Sequence, residues 1–141
     1  MLMRKLNQKD VFKKMRLLVN GFFILPLGAF GIMHFVVSDF FEALVPQFAG
    51  NASFWVAFSG IALTGASVTI FMNYYSSFFA GLLMIFVLVF ILTVDIPNVI
   101  HPNGWAKHYF VISLLKDISL FGGCGLIILL NSLEKAYFRV S

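Results

Sequence analysis

The sequence predicts an all-α membrane protein: a four-helix transmembrane bundle with both termini in the cytoplasm and a short interfacial helix between spans 1 and 2. Three observations predict it. Four apolar runs of about 20 residues divide the chain, each long enough at about 1.5 Å per residue to cross a hydrocarbon core of about 30 Å. Of 141 residues, 60% are hydrophobic and only 11% are charged, against about 25% charged in an ordinary soluble domain. A soluble chain this small has too much surface to hide such an apolar load. Finally, the basic residues outside the runs lie almost wholly on one side of the predicted topology.

Residues 1–16 read as a basic cytoplasmic juxtamembrane segment, and residues 17–141 as the transmembrane domain. Six of the ten basic residues fall in that first segment: Arg4, Lys5, Lys9, Lys13, Lys14 and Arg16. Near a membrane they set topology and attract anionic headgroups, at about 1 kcal/mol per residue. No fold or aromatic platform for nucleic acid accompanies the charge.

The first span, residues 17–37, is longer than the apolar region of a signal peptide and lacks a small-residue cleavage site, so it is expected to be retained. Pro26 removes a backbone donor and is expected to kink it, while Gly28 and Gly31 let a neighbour approach closely. Between residues 38 and 51, Asp39 has the position of an N-cap with Glu42 three residues on. Phe40, Phe41, Leu44, Val45 and Phe48 supply an apolar face before and after Pro46. That pattern predicts a short interfacial helix, with a greasy loop packed over the bundle as its alternative.

The second span, residues 52–72, carries Gly60, Thr64, Gly65 and Thr69 for close helix packing. The third, residues 77–95, is expected to stop before Pro97. Pro97, Pro102 and Asn103-Gly104 mark the following loop as turns, and Trp105 and Tyr109 suit the headgroup level. The fourth, residues 109–130, contains Lys116-Asp117 and the run Gly122-Gly123-Cys124-Gly125. Cys124 is the only cysteine, so neither an internal disulfide nor a C-x-x-C pair is possible, and it reads as a small packing residue. Eight basic residues flank the spans on the side of the termini and one, Lys107, on the other. The positive-inside rule then places both termini in the cytoplasm.

The adjacent charges of the fourth span are the most informative feature. A charge at mid-bilayer costs roughly 2.5–3.5 kcal/mol, so two in one span point to a sheltered polar site. With His34 and Asp95, Lys116 and Asp117 form a predicted polar cluster in the outer half of the bundle; the inner half is expected to hold no titratable group. Neighbouring side chains diverge by about 100° around a helix, so each charge is expected to find its own partner: Asp95 for Lys116, Ser113 or His34 for Asp117. Phe35, Phe40, Phe41 and Phe110 form a candidate aromatic rim. Such a cluster can fix helix register by ion pairing, hold a ligand or quinone headgroup, move protons, or contact a lipid or subunit. His34, His101 and His108 share no helical spacing suited to fixed metal geometry, so no metal site is predicted. Nucleophilic triads and phosphate-binding glycine loops are absent.

These residues resemble the DoxX-like family of small four-helix bacterial membrane proteins. The resemblance rests on Gly-Ile-Met-His-Phe at 31–35, Asp39-Phe40-Phe41-Glu42 leading to Pro46, Trp55 with Ser59-Gly60, Leu115-Lys116-Asp117-Ile118, and Gly122-Gly123. It spans about residues 21–130. It implies a bacterial inner-membrane protein; relatives include a subunit of a thiosulfate:quinone oxidoreductase and a component of an oxidative-stress membrane complex. The expected function is an accessory or assembly subunit, with a protein partner or a second copy docked through small-residue helix faces. The alternative is a membrane subunit of a quinone-linked oxidoreductase, binding a quinone or small sulfur substrate at the cluster. No catalytic motif or cofactor signature singles out an enzyme, and four spans without broken-helix repeats disfavour a transporter.

Overall fold

The computed structural model describes the backbone of residues 2–101 and 107–140, and the side chains of residues 10–101 and 108–139. The expected turn at Pro102 and Asn103-Gly104 and the interfacial Trp105 lie outside the described residues, as do the side chains of Arg4, Lys5, Lys9 and Lys107.

All described secondary structure is helical. The order is α1 (Leu2–Val36), α2 (Ser38–Glu42), a 3₁₀ turn (Gln47–Ala49), α3 (Ala52–Phe71), α4 (Ser76–Phe90), a π turn (Ile91–Asp95), α5 (Ile96–Ile100) and α6 (Lys107–Val140). Four helical stretches are long and apolar enough to cross a membrane: Asp10–Val36, Ala52–Phe71, Ser76–Ile100 and His108–Arg139. The perimeter agrees with such a setting, since Phe22 is 82% and Leu25 76% exposed. In water such a surface would drive association.

Helix α1 packs chiefly on α3 and α4 on α6, with α3–α4 and α1–α6 contacts closing the ring. Leu27, Leu63, Ile70, Leu83, Val87 and Ile127 fill the centre, and Cys124 is fully buried among them as a free thiol. Close approach is sharpest where α1 crosses α3. A Cβ on Gly31 would stand 2.8 Å from the backbone nitrogen of Thr64. On the other side of the bundle, Gly123 leaves room for the Phe23 ring. Gly65, Gly122 and Gly125 meet nothing, so the small-residue pattern splits into packed and open positions.

The basic segment is not separate from the first span. Helix α1 runs unbroken through both, with Pro26 inside it. Its 35 residues, like the 34 of α6, reach about 50 Å, well beyond a bilayer core. The overhangs hold each other: Arg16 Nη1 donates to Glu134 Oε2 at 2.8 Å, and Phe12 lies 5.6 Å from Tyr137 between ring centroids. Both termini therefore leave the bundle at the same end. Two buried amides also tie this end of the bundle together. Asn131 Nδ2 donates to Ser76 Oγ at 2.8 Å and to Ser77 Oγ at 3.0 Å, tying α6 to the start of α4. Asn20 Nδ2 donates to the Ile70 carbonyl at 3.4 Å.

The short helix after span 1 exists as α2, but Asp39 does not cap it. Val37 holds the N-cap position without a side-chain bond, and Asp39 lies in the first turn. Beyond it the chain bends at Pro46 and passes through Gly50 at φ +79°, a left-handed conformation suited to glycine. Asn51 then caps α3 by accepting from Phe54 N at 3.2 Å. Trp55 Nε1 donates to the Ala49 carbonyl at 2.9 Å, latching this strap to α3.

Candidate functional site

The strap covers a cavity of about 510 Å³ at the end of the bundle away from the termini. Its walls are aliphatic and aromatic, with Val56 and Leu63 from α3, Phe86 and Phe90 from α4, and Leu44 and Phe48 from the strap. The polar groups among its walls come from α1, α3, α6 and the π turn.

Helix α1 supplies Phe30 and His34, one turn apart. Gly60 lets this end of α1 lie close to α3: a Cβ there would meet the Phe35 ring at 2.7 Å and His34 Cβ at 3.0 Å. His34 Nδ1 donates to the Phe30 carbonyl at 2.8 Å. A carbonyl can only accept, so Nδ1 carries a proton and, in the neutral ring, Nε2 is an acceptor. The imidazole stacks on Phe41 with centroids 4.0 Å apart and planes 6° off parallel, and Phe30 meets it edge-on at 4.9 Å.

Asp95 is placed by Pro97. Proline has no N–H and its ring crowds the carbonyl four residues back, which disfavours a regular α-turn; α1 takes in Pro26 without a break, but here the turn is not regular. The helix widens instead: Ile96 N–H donates to the Ile91 carbonyl, five residues back. Wide turns of this kind are frequent at functional sites. Thr93 Oγ1 donates to the Val89 carbonyl at 2.7 Å and Asn98 Nδ2 to the Val94 carbonyl at 2.8 Å, taking up backbone acceptors around the break. The third span thus passes Asp95 and Pro97 and runs to Ile100, rather than ending where the proline suggested. Asp95 itself is 1% exposed, and its Oδ2 has no hydrogen-bond partner among the described residues.

Helix α6 brings the charge pair. Lys116 Nζ lies 2.9 Å from Asp117 Oδ1 and 4.0 Å above the centre of the Phe30 ring. This corrects the expectation of separate partners. The 100° divergence applies to the Cα–Cβ directions, and the four-carbon lysine stem is long enough to curl back to its neighbour. No Lys116–Asp95 ion pair is seen among the described residues. Asp95 instead has the Asp117 carboxyl, the Ser113 hydroxyl and, farther off, the ammonium as electrostatic neighbours. Ser113, expected beside Asp117, faces Asp95.

The structure brings His34, Asp95, Lys116 and Asp117 to one cavity. Of the candidate rim, Phe41 and Phe110 line it. Phe40 stands behind them, edge-on to Phe41 at 5.4 Å and to Tyr109 at 5.9 Å. Phe35 does not belong to the rim; it is half exposed and packs over Gly60. Phe30 takes that role, and its i, i+4 spacing from His34 was the signal available in the sequence. His101 and His108 are exposed and outside the cavity. Among the described residues no three His, Cys, Asp or Glu side chains gather to hold a metal ion.

Fold and site together define a class: a bundle, helical throughout its described secondary structure, whose four main helices are long and apolar enough to cross a membrane, with two buried carboxyls among the residues that line an apolar cavity. Within that class the chain belongs to the family described as a domain of unknown function, DUF8561, whose model matches residues 23–118. The match takes in every polar residue of the cavity and leaves out Arg16 and Glu134. No curated protein and no solved structure matches the chain.

Proposed function

We propose that this protein is a multi-pass subunit of a bacterial cytoplasmic membrane that binds a small lipid-soluble ligand in the cavity under the strap, as an accessory or assembly component of a larger complex or of a homo-oligomer. The observation that carries the reading is the cavity itself: about 510 Å³ of apolar space, with Asp95, whose Oδ2 is buried without a hydrogen-bond partner among the described residues, among the residues that line it. Ligand sites are typically apolar clefts of about 300–1,000 Å³ with few, placed polar groups. A network whose only task was to hold helix register would be expected to satisfy its members and fill the space around them. The DoxX-like resemblance fits the same reading, and open glycines such as Gly122 and Gly125 leave helix faces for a partner.

Native mass spectrometry from mild detergent tests it. Wild-type protein is expected to carry a bound small-molecule or lipid adduct and to appear with a partner chain or a second copy. Val56→Phe, which puts a ring into existing empty space, should lose the adduct and keep its melting temperature. A lone 15.8 kDa chain without adduct overturns the proposal, as does an adduct indifferent to Val56→Phe.

Both termini are proposed to be cytoplasmic and the cavity to lie toward the outer face, on the support of the eight-to-one basic asymmetry. A fluorescent-protein fusion at Ser141 should then fluoresce and an alkaline-phosphatase fusion there be inactive; the reverse pattern defeats this orientation. The quinone-linked alternative draws support from the aromatic walls. It is the weaker reading, because a quinone offers carbonyl acceptors, which the oxygen of an ionised Asp95 cannot serve.

A further inference from the structure

We propose that the ligand of this cavity is a lipophilic ammonium, an apolar body ending in a positively charged nitrogen that docks on Asp95. This inference rests on the cavity being a ligand site and specifies the chemistry it selects.

Three independent features point the same way. The first is hydrogen bonding. Asp95 Oδ2 is a buried acceptor with no donor among the described residues, and leaving such a group unsatisfied costs more than a typical hydrogen bond contributes. A ligand N–H supplies what is missing, whereas a carbonyl or carboxylate adds a second acceptor.

The second is charge. The titratable groups lining the cavity are His34, Asp95, Tyr109, Lys116 and Asp117. Two carboxyls share this space with one ammonium, and that ammonium is already held by Asp117 and the Phe30 ring, so Asp95 has no ion-pair partner among the described residues. A bound cation completes the count. An anion would face Asp95 and Asp117 in a low-dielectric setting, where like charges repel strongly.

The third is the wall. Phe41, Phe110, Phe86, Phe90, Phe58 and Trp55 surround the space. Aromatic faces carry negative potential, and aromatic boxes are a recurrent way to hold ammonium groups. The Lys116–Phe30 contact shows the same chemistry within the chain.

The test uses the full chain in phosphatidylglycerol nanodiscs, in a Trp105→Phe background that leaves Trp55, at the cavity wall, as the sole tryptophan. Four nitrophenylalkyl probes of one body, ending in a primary ammonium, a hydroxyl, a methyl ketone or a carboxylate, are titrated as quenchers of Trp55. Val56→Phe provides the baseline for partition into lipid. The ammonium probe is expected to bind at least ten-fold more tightly than the other three, and the isosteric Asp95→Asn to erase that preference. Equal affinity for the ammonium and the hydroxyl or ketone probe overturns the proposal while leaving the cavity a ligand site. The hydroxyl would match the ammonium where a proton shared by the two carboxyls already completes the charge. Survival of the preference in a folded Asp95→Asn also overturns it, and the wild-type probe series decides should that variant fail to fold. Quenching no greater than in Val56→Phe for every probe sinks the ligand site and this inference together. A final arm adds phosphatidylethanolamine. Competition with the ammonium probe identifies a lipid headgroup amine as the source, and its absence a free amine; either result supports ammonium recognition.

Discussion

Lys116→Met is expected to destabilise the bundle by about 3 kcal/mol, read as a lower midpoint of thermal unfolding in detergent. Breaking a buried ion pair by removing one partner costs roughly 3–5 kcal/mol, because the other charge stays behind uncompensated. Here two carboxyls stay behind, Asp117 at 7% side-chain exposure and Asp95 at 1%. The lysine is 38% exposed, which puts the figure at the lower end of that range. Methionine retains the length of the stem over Phe30 but loses the cation–π contact, a further 0.5–1 kcal/mol or so. Lys116→Arg should recover most of the loss. Pairing Lys116→Met with Asp117→Asn should recover part of it, since the two effects are coupled and do not add. A single Lys116→Met variant as stable as wild type would show that the pair does not matter to the fold.

Gly31→Ala is expected to cost about 2 kcal/mol, while Gly122→Ala, on the same scale, should be neutral or stabilising. Elsewhere in a helix, Gly→Ala gains about 0.5–1 kcal/mol by restricting the unfolded chain. At Gly31 the added methyl would lie 2.5 Å from Thr64 Oγ1 and 2.8 Å from the Thr64 backbone nitrogen. A hydroxyl can rotate away, but backbone cannot, so α1 and α3 must separate at the cost of overpacking, about 1–3 kcal/mol. The separation would also act on His34, three residues along α1, and loosen its stack on Phe41. At Gly122 nothing lies within 4 Å of the new Cβ. Thermal unfolding of the two variants side by side checks the opposite signs; equal signs would mean that the α1–α3 crossing is slacker than described.

Much of the fold was legible because hydrophobicity along a chain is a one-dimensional signal. The second span was expected at residues 52–72 and found at Ala52–Phe71. The overhang of α1 was not legible as a helix apart from the bilayer, because lysines and arginines suit a helix as well as a tether. What holds it is a contact between Arg16 and Glu134, 118 residues apart. Likewise Pro97 marked a break in the third span, yet a proline cannot announce whether a helix stops or widens. The wider turn is seen only in three dimensions, with Thr93 and Asn98 donating to the Val89 and Val94 carbonyls on either side of it.

The candidate site was legible by residue type and not by geometry. His34, Asp95, Lys116 and Asp117 stood out as costly groups in apolar runs, and the alternation of four spans put them at one end. Phe35 was expected in the rim where Phe30 stands, because the two differ by the helix rotation that faces Gly60 or the cavity. Nor could it show Lys116 folding back on Asp117.

Taken by itself, the chain determined that four apolar helices form and that the few titratable groups inside the spans share one end, since burial cost is a property of each residue and of its position along the run. Only the tertiary structure decided that these groups line one cavity bordered by the strap, with one carboxyl oxygen unsatisfied among the described residues. A cavity is what remains between helices, and its size depends on interhelical distances set by pairs such as Gly31 with Thr64 and Gly60 with His34, contacts that no local stretch of sequence encodes.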